Sequence, residues 1–309
     1  GAVVTKSVIY PEEDGRPAGG WARPRFQLWN SSNGYNPALT EKNGHFSLFR
    51  RGEPYPTPEK MERMLDEIRK AKVDIPIIVS ICGSPTDYET WRTLAKRMEN
   101  AGADAIELNM HAYPEHRITD PLYITAAKSA VKIPVIAKLR AINDPPEGGG
   151  PKAEIAGADA VAPLGTFGFR AIELDVESRQ PFMGYHGLGG TWLRAVSLAY
   201  VSGLANTVHI PISGVTGIQS WQDAVKYILL GATTVQICGA IYARGYKVIT
   251  EVVDGLEKYM REHDYDSITA FRGAALKNIQ PLEYAPDVHA EVDPKLCVGC
   301  GKCEELCFF

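Results

Sequence analysis

The chain has 309 residues, of which 45% are hydrophobic and 9% aromatic, and its formal net charge is −4. This composition supports a large buried core and excludes a disordered chain. The negative charge gives no general attraction to nucleic acid or to anionic membranes. The longest apolar runs, such as residues 73–82, have the length of a strand and not the ~20 residues of a membrane helix. No signal peptide opens the chain, and we expect a cytoplasmic protein.

Strand-length apolar runs alternate with amphipathic segments along the chain. The predicted strands are residues 2–7, 75–82, 105–110, 133–140, 159–165, 208–215 and 233–240. The predicted helices are residues 57–72, 85–102, 120–132, 190–205, 220–232 and 247–263. Continuous apolar strands that alternate with helices indicate a parallel sheet covered on both faces. A Gly-Ala-Asp signature before two of the strands is typical of a glycine that ends a helix.

The repeated unit predicts a (β/α)₈ TIM barrel. A closed barrel needs eight strands, and the visible chain begins directly on the first of its strand candidates without an initiator Met. We therefore expect the first βα unit to lie upstream of residue 1; an open doubly wound sheet is the alternative. Residues 8–56 show little periodicity and read as a long loop at the active-site end of the barrel.

Four of the six cysteines lie close together near the end of the sequence: Cys297, Cys300, Cys303 and Cys307. Their C-x₂-C-x₂-C-x₃-C spacing is that of bacterial ferredoxins and predicts a [4Fe–4S] cluster. Gly299 and Gly301 permit the tight turns that such wrapping requires. Zinc is the main rival, although zinc sites usually pair two C-x₂-C elements across a longer spacer. A disulfide framework does not suit a chain without secretory features.

The cysteine module reads as the first half of a two-cluster domain. In such domains the fourth cysteine ligates the other cluster, and Phe308 stands where the ferredoxin pattern has proline. Cys82 and Cys238 fall in predicted barrel strands and are expected to be buried core residues. We predict a barrel over residues 1–277, a linker over 278–292 and a partial ferredoxin-like module over 293–309.

Several short motifs occur together in the barrel: GAVVTKS (1–7), NSSNGYN (30–36), IELNM (106–110), PVIAKL (134–139), GLGGT (187–191), SGVTGIQS (213–220) and VQICGAI (235–241). In these motifs the chain, from residue 1 to about residue 260, resembles the FMN domain shared by dihydroorotate dehydrogenases and dihydropyrimidine dehydrogenase. The continuation DPKLCVGCGKCEELC favours the dihydropyrimidine dehydrogenase type, which carries a two-cluster ferredoxin module after the barrel.

The resemblance implies a role for individual residues. It places Thr5, Lys6 and Lys138 beside the flavin, and it makes Asn30, Asn109 and Thr166 contacts of a small-molecule substrate. Further cofactor contacts are implied in the glycine-rich motifs: Gly189, Gly190, Gly214, Gly217, Cys238 and Gly239. Barrels bind phosphate through free backbone N–H groups after their last strands. Independently, a lone lysine within an apolar strand is costly unless an anion or an electron-rich ring offsets its charge.

The sequence departs from the family pattern at the catalytic acid/base. The family uses a Cys or Ser on the loop after the strand that bears Asn109, and here that loop, residues 111–121, has neither. The family's Asn-Thr pair after the sixth strand appears as Gly165-Thr166, which removes a substrate-binding amide. Histidine transfers protons well near neutral pH. The replacement candidates are His116, which we prefer, and His111, Tyr113 and His186.

The resemblance therefore implies an FMN-dependent oxidoreductase that acts on a CH–CH bond. Electrons would pass between FMN and the iron–sulfur cluster, and then to a partner subunit that carries FAD or NAD(P), or to ferredoxin. The resemblance also implies a homo-oligomer. A non-catalytic electron-transfer or scaffolding subunit that has lost the acid/base is the alternative. A phosphate-binding barrel without flavin is a third reading, which leaves the two lysines unexplained.

Overall fold

The computed structural model describes residues 1–9, 26–29, 46–49, 56–110, 121–139, 146–163, 170–279 and 291–305. The chain divides into two units, Gly1–Leu276 and Lys277–Phe309. The strands are β1 (Val3–Val4), β2 (Val8–Ile9), β3 (Phe26–Trp29), β4 (Phe46–Phe49), β5 (Ile77–Cys82), β6 (Ala105–Asn109), β7 (Val135–Lys138), β8 (Ala160–Ala162), β9 (Arg170–Asp175), β10 (Gln180–Gly190), β11 (Ser213–Val215) and β12 (Thr234–Gln236).

Helices lie between and after these strands along the chain, and the last of them belongs to the second unit. They are α1 (Pro58–Lys70), α2 (Tyr88–Asn100), α3 (Leu122–Ala130), α4 (Pro146–Ile155), α5 (Arg194–Ala205), α6 (Trp221–Leu229), α7 (Gly239–Arg244), α8 (Lys247–Glu262), α9 (Ile268–Phe271) and α10 (Lys302–Glu305). Short 3₁₀ turns cover Thr191–Leu193 and Leu276–Asn278. Within the described ranges, no helix combines the length and the apolar character needed to cross a membrane.

The parallel strands follow one another in chain order. Strands β1 and β2 both pair with β5, and β5, β6, β7 and β8 pair in succession. A parallel bridge between Val161 and Ile212 leads on to β11, which pairs with β12. All the predicted strands are present in this array, and the predicted α/β fold is confirmed. Neighbours in strict chain order are typical of a barrel, whereas a doubly wound sheet reverses its order at a switch point.

The array curls, so that strands far apart in its order meet across the interior. Along β6, Ile106 and Leu108 belong to the hydrophobic core, while Glu107 and Asn109 alternate with them and therefore face the other side of the sheet. The amide Nε2 of Gln236 on β12 donates to Oε2 of Glu107 at 2.8 Å. Because β6 and β12 are separated by β7, β8 and β11 in the strand order, this contact crosses the inside of the curled sheet.

The Gly-Ala-Asp signature ends a helix and connects it to the neighbouring strands. Gly102 follows α2 at φ 96°, the left-handed conformation that ends helices, as expected. The Asp104 carboxylate then accepts from the Ile77 N–H at 2.7 Å and from the Arg69 guanidinium at 2.8 Å. Partial burial acts to raise the pKa of Asp104, but these two donors together hold it below its ordinary value. The second copy repeats this connection with Gly157 at φ 94°, and with Asp159 accepting from the Val135 N–H at 2.7 Å and from Lys128 at 2.6 Å.

A second, antiparallel sheet was not predicted. Its order is β3-β4-β10-β9, and β3 and β4 come from the segment 8–56 that the sequence suggested was a loop. Helix α4 was also missed, because its sequence PEGGGPKAEI is rich in the residues that disfavour helices. The glycines of β10 similarly hide the alternation by which strands are recognised. Residues 280–290, most of the predicted linker, lie outside the described residues.

Candidate active site

Four of the predicted site residues lie at the carboxyl ends of the parallel strands. Lys6 follows β1, Asn109 and Lys138 end β6 and β7, and Cys238 follows β12. Asn109 and Lys138 are also register partners, and so they are direct neighbours on the sheet. Since the carboxyl ends of parallel strands meet at one edge, the fold brings these residues to the end of the barrel where active sites form.

Asn109 is held by two buried hydroxyl groups that sequence reasoning missed. Its Nδ2 donates to Oγ of Ser7 at 2.7 Å, and the Ser7 and Ser80 hydroxyls are hydrogen-bonded at 2.9 Å. Its Oδ1 is buried and has no hydrogen-bond partner in the part of the chain that the structure describes. A buried acceptor without a donor costs about 1–3 kcal/mol. The amide oxygen is therefore suited to a ligand that brings an N–H group.

Lys138 does have a protein counter-charge. Its Nζ lies 3.2 Å from Oε1 of Glu107 and donates to Oε1 of Gln236 at 2.8 Å. The Glu107 carboxylate is therefore an anion of the kind that the sequence required to offset this lysine, and a contact between Lys138 and a flavin stays a prediction. The missed signal was the spacing of Glu107 and Asn109, which alternation places on the same face of β6.

Cys238 is exposed, which corrects the expectation that it is a buried core residue. Cys82, in contrast, is buried as expected. Protein atoms nevertheless crowd the Cys238 thiol, and burial raises its pKa, while the positive charges of Lys138 and Lys6 act in the opposite direction. Lys6 and Lys138 lie at the same ends of the parallel strands as this thiol, and the Glu107 carboxylate pairs with Lys138.

Thr5 connects the end of β1 to β5. Its Oγ1 accepts from the Ser80 N–H at 3.2 Å and donates to the carbonyl of Lys6 at 3.0 Å. These bonds fix the backbone that carries Lys6. A contact between Thr5 and a cofactor stays a prediction.

The predicted glycines of the last strands differ in their surroundings. A Cβ on Gly214 would lie 2.5 Å from Cδ1 of Tyr227, and one on Gly217, at φ 76°, would lie 2.8 Å from Cβ of Arg194. Both glycines are thus required by packing. A Cβ on Gly239 would meet none of the described atoms within 4 Å. Packing among the described residues therefore does not require a glycine at the start of α7, and its backbone can be approached closely by a ligand.

Gly189 and Gly190 lie in the antiparallel sheet. They pair with Ser47 and Phe46 of β4, and Gly190 adopts φ 118° immediately before the turn Thr191–Leu193. Their predicted cofactor contact stays a prediction. His186 lies in β10, opposite Ala171 of β9.

Several predicted site residues lie outside the described residues. These are Asn30, His111, Tyr113, His116, Thr166 and Cys307.

The second unit contains the described part of the cysteine module. Cys297, Cys300 and Cys303 are free and exposed, and Gly299 and Gly301 have φ values of 69° and 71°. The left-handed glycines agree with the tight turns expected from the spacing. Among the described residues, no three His, Cys, Asp or Glu side chains are arranged as a metal site. The cluster prediction, which also needs Cys307, stays a prediction.

The chain is an α/β-barrel protein with a polar, partly cationic site at the carboxyl ends of its strands. The family profile described as dihydroorotate dehydrogenase matches residues 35–260, and the chain belongs to this family. The predicted family is thereby confirmed.

Relatives of two kinds share this similarity. The catalytic subunit of dihydroorotate dehydrogenase B (NAD(+)) from Pyrococcus abyssi is 35% identical over 70% of this chain and 74% of the relative. The subunit of the same name from Methanosarcina mazei is 32% identical over 89% of this chain and 83% of the relative. The NAD-dependent dihydropyrimidine dehydrogenase subunit PreA from Escherichia coli K12 is 30% identical over 80% of this chain and 66% of the relative.

The surroundings of Gly214 and Gly239 predict that the same substitution destabilises the protein at Gly214 and has little effect at Gly239. Gly214→Ala should lower the free energy of unfolding by about 1–3 kcal/mol, because the new methyl group overlaps the Tyr227 ring. Gly239→Ala, at a position with open space, should change it by less than about 0.5 kcal/mol. Urea unfolding of both variants measures the difference. Equal losses of stability would contradict the packing described for Gly214.

Proposed function

We propose that this chain binds FMN at the carboxyl ends of its barrel strands and acts as an oxidoreductase on a CH–CH bond of a pyrimidine-type ring. The observation that carries the proposal is the pairing of Asn109 with Lys138 at the carboxyl ends of β6 and β7, where the Asn109 amide oxygen lacks a donor among the described residues. Lys6 and Cys238 follow β1 and β12 at the same edge of the sheet. Cations suit the electron-rich edge of a flavin, and an unpaired acceptor suits a ring N–H of a substrate.

The described residues fit a flavin mononucleotide. Lys6 and Lys138 supply positive charge at the strand ends, and Gly239 leaves open space at the start of α7 for a phosphate group. Bound FMN would supply the acceptor or donor of a hydride. The chain itself would orient the substrate so that its CH–CH bond lies against the flavin, and it would exclude water from that contact.

Substrate binding and proton transfer are assigned to specific side chains. Asn109 would accept from the ring N–H, and Asn30 and Thr166 would complete the substrate contacts. His116, with His111 as the second candidate, would hold or release the proton, because residues 111–121 contain neither Cys nor Ser. An imidazole can do so near neutral pH.

The C-terminal cysteines would carry electrons away from the barrel. We assign a [4Fe–4S] cluster to Cys297, Cys300, Cys303 and Cys307, on their spacing and on the glycine conformations between them. An iron–sulfur centre converts two-electron flavin chemistry into one-electron steps. The relatives are named as subunits, which supports a partner subunit that carries FAD or NAD(P); ferredoxin is the other acceptor considered.

The non-catalytic alternative is favoured by one observation, the loss of the family's Cys or Ser from residues 111–121. A chain of that kind would still bind flavin and exchange electrons. It would differ only in failing to exchange hydride with a pyrimidine.

The two functions are separated by the reoxidation of bound flavin. We expect anaerobically purified protein to release FMN on denaturation. After photoreduction under argon, its flavin should be reoxidised by orotate or by uracil. His116→Ala should slow this reaction about 10²-fold or more, as loss of a general acid does. His209→Ala, which changes a histidine that is 94% exposed on its side chain, should not.

Two results would contradict the proposal. Protein without flavin would exclude both functions. Flavin that is reoxidised only by artificial acceptors, with no effect of His116→Ala, would leave the electron-transfer subunit as the function.

The cysteine assignment predicts a selective loss of iron. Cys300→Ser should remove most of the iron and acid-labile sulfide from anaerobically purified protein, because it removes a cluster ligand. Cys238→Ser is the matched control, since Cys238 is also exposed but lies in the barrel. Metal analysis beside the visible spectrum measures both. Equal iron in wild type and Cys300→Ser would contradict the assignment.

A further inference from the structure

A closed ring of hydrogen bonds joins three side chains inside the curled sheet, those of Glu107, Lys138 and Gln236. Nζ of Lys138 donates to Oε1 of Glu107 at 3.2 Å and to Oε1 of Gln236 at 2.8 Å. Nε2 of Gln236 donates to the second carboxylate oxygen, Oε2 of Glu107, at 2.8 Å. The Gln236 amide therefore bridges the two charged groups, and each of its polar atoms has a partner.

The hydrogen bonds of the ring hold the Lys138 ammonium group in one position, and the Glu107 carboxylate offsets its positive charge. The side chain of Glu107 is 2% exposed and that of Lys138 18% exposed, so solvent does little to screen the pair. An ammonium group has three N–H donors, and two of them go to Glu107 and Gln236. Among the described residues this leaves one donor for a ligand, in a direction set by the other two.

Lys138 also faces the candidate site. It is the register partner of Asn109 at the end of β7, and its charge acts on the Cys238 thiol. Its two hydrogen-bond partners, the carboxylate of Glu107 and the amide of Gln236, come from β6 and β12. A change of charge in either side chain therefore alters the charge beside Lys138 and leaves the lysine itself in the site.

We propose that Glu107 and Gln236 are positioning residues. They direct Lys138 toward the bound flavin, and they keep the net charge of the Glu107–Lys138–Gln236 group near zero. The inference rests on the proposed function, because it concerns the bound flavin. The ring thereby sets how strongly the site favours reduced flavin. Reduced flavin carries more negative charge than oxidised flavin, and so it is stabilised by an uncompensated cation and destabilised by an extra carboxylate.

Exchanging the carboxylate and the amide tests this charge arrangement. Glu107→Gln leaves Lys138 uncompensated and should raise the midpoint potential of the flavin. A unit charge within ~10 Å of the flavin ring should change the ratio of reduced to oxidised flavin at a fixed potential about tenfold. For a two-electron couple this change corresponds to about 30 mV. Gln236→Glu adds a carboxylate and should lower the potential by a similar amount.

The double variant Glu107→Gln/Gln236→Glu keeps one carboxylate and one amide beside Lys138. We expect its potential to return to within about threefold of the wild type on the same scale. Glu62→Gln is the control, because it removes an equal charge from Glu62 of the outer helix α1, where that residue pairs with Arg97. A reductive titration of the flavin-loaded protein against a reference dye measures all four variants.

The outcomes separate this inference from the proposed function. Opposite shifts in the two single variants, with restoration in the double variant, support the positioning role. Shifts in the same direction, shifts below about threefold, or a double variant that behaves like either single variant would overturn it. In those cases the flavin content, measured before each titration, shows that the proposed function still stands. Wild-type protein that binds no flavin would overturn both.

Discussion

The pairing of Glu107 with Lys138 is the interaction on which the inside of the barrel depends. A carboxylate with 2% of its side chain exposed is tolerated only when donors occupy its oxygens. Here the donors come from β7 and from β12, and the pair therefore connects strands that do not neighbour each other in the sheet. The hydrogen bond between Gln236 and Glu107 also keeps β12 opposite β6. The Glu107–Lys138 pair places the Lys138 ammonium group at the carboxyl ends of the strands.

The hydroxyl groups of Ser7 and Ser80 position the side chain of Asn109, which is the neighbour of Lys138 on the sheet. Ser7 and Ser80 hold the Asn109 amide by its nitrogen, which leaves the oxygen as the group for a ligand. An acceptor and a cation thus stand side by side at the ends of β6 and β7. This combination suits a substrate with ring N–H groups that lies over an electron-rich cofactor.

The sequence was sufficient for most of the parallel strands, for most of their flanking helices and for the family, because each rests on local periodicity or on short motifs. It was not sufficient for contacts that cross the fold. Glu107 lies 31 residues before Lys138 and Gln236 lies 98 residues after it, and no local pattern connects them. The exposure of Cys238 was misjudged for the same reason, since a position after a strand does not reveal whether it faces packing or open space. The antiparallel sheet was missed because glycine-rich β10 lacks the alternation that marks a strand.

The central claim is that the flavin binds at the carboxyl ends of the strands, beside Lys138. The most direct test is a crystal structure of the protein in complex with FMN. We expect the flavin ring within hydrogen-bond distance of Lys138 Nζ, with Glu107 and Gln236 still bonded to that lysine, and the phosphate beside Gly239. Flavin bound elsewhere, or a Lys138 turned away from it toward Glu107 alone, would contradict the assignment of this site.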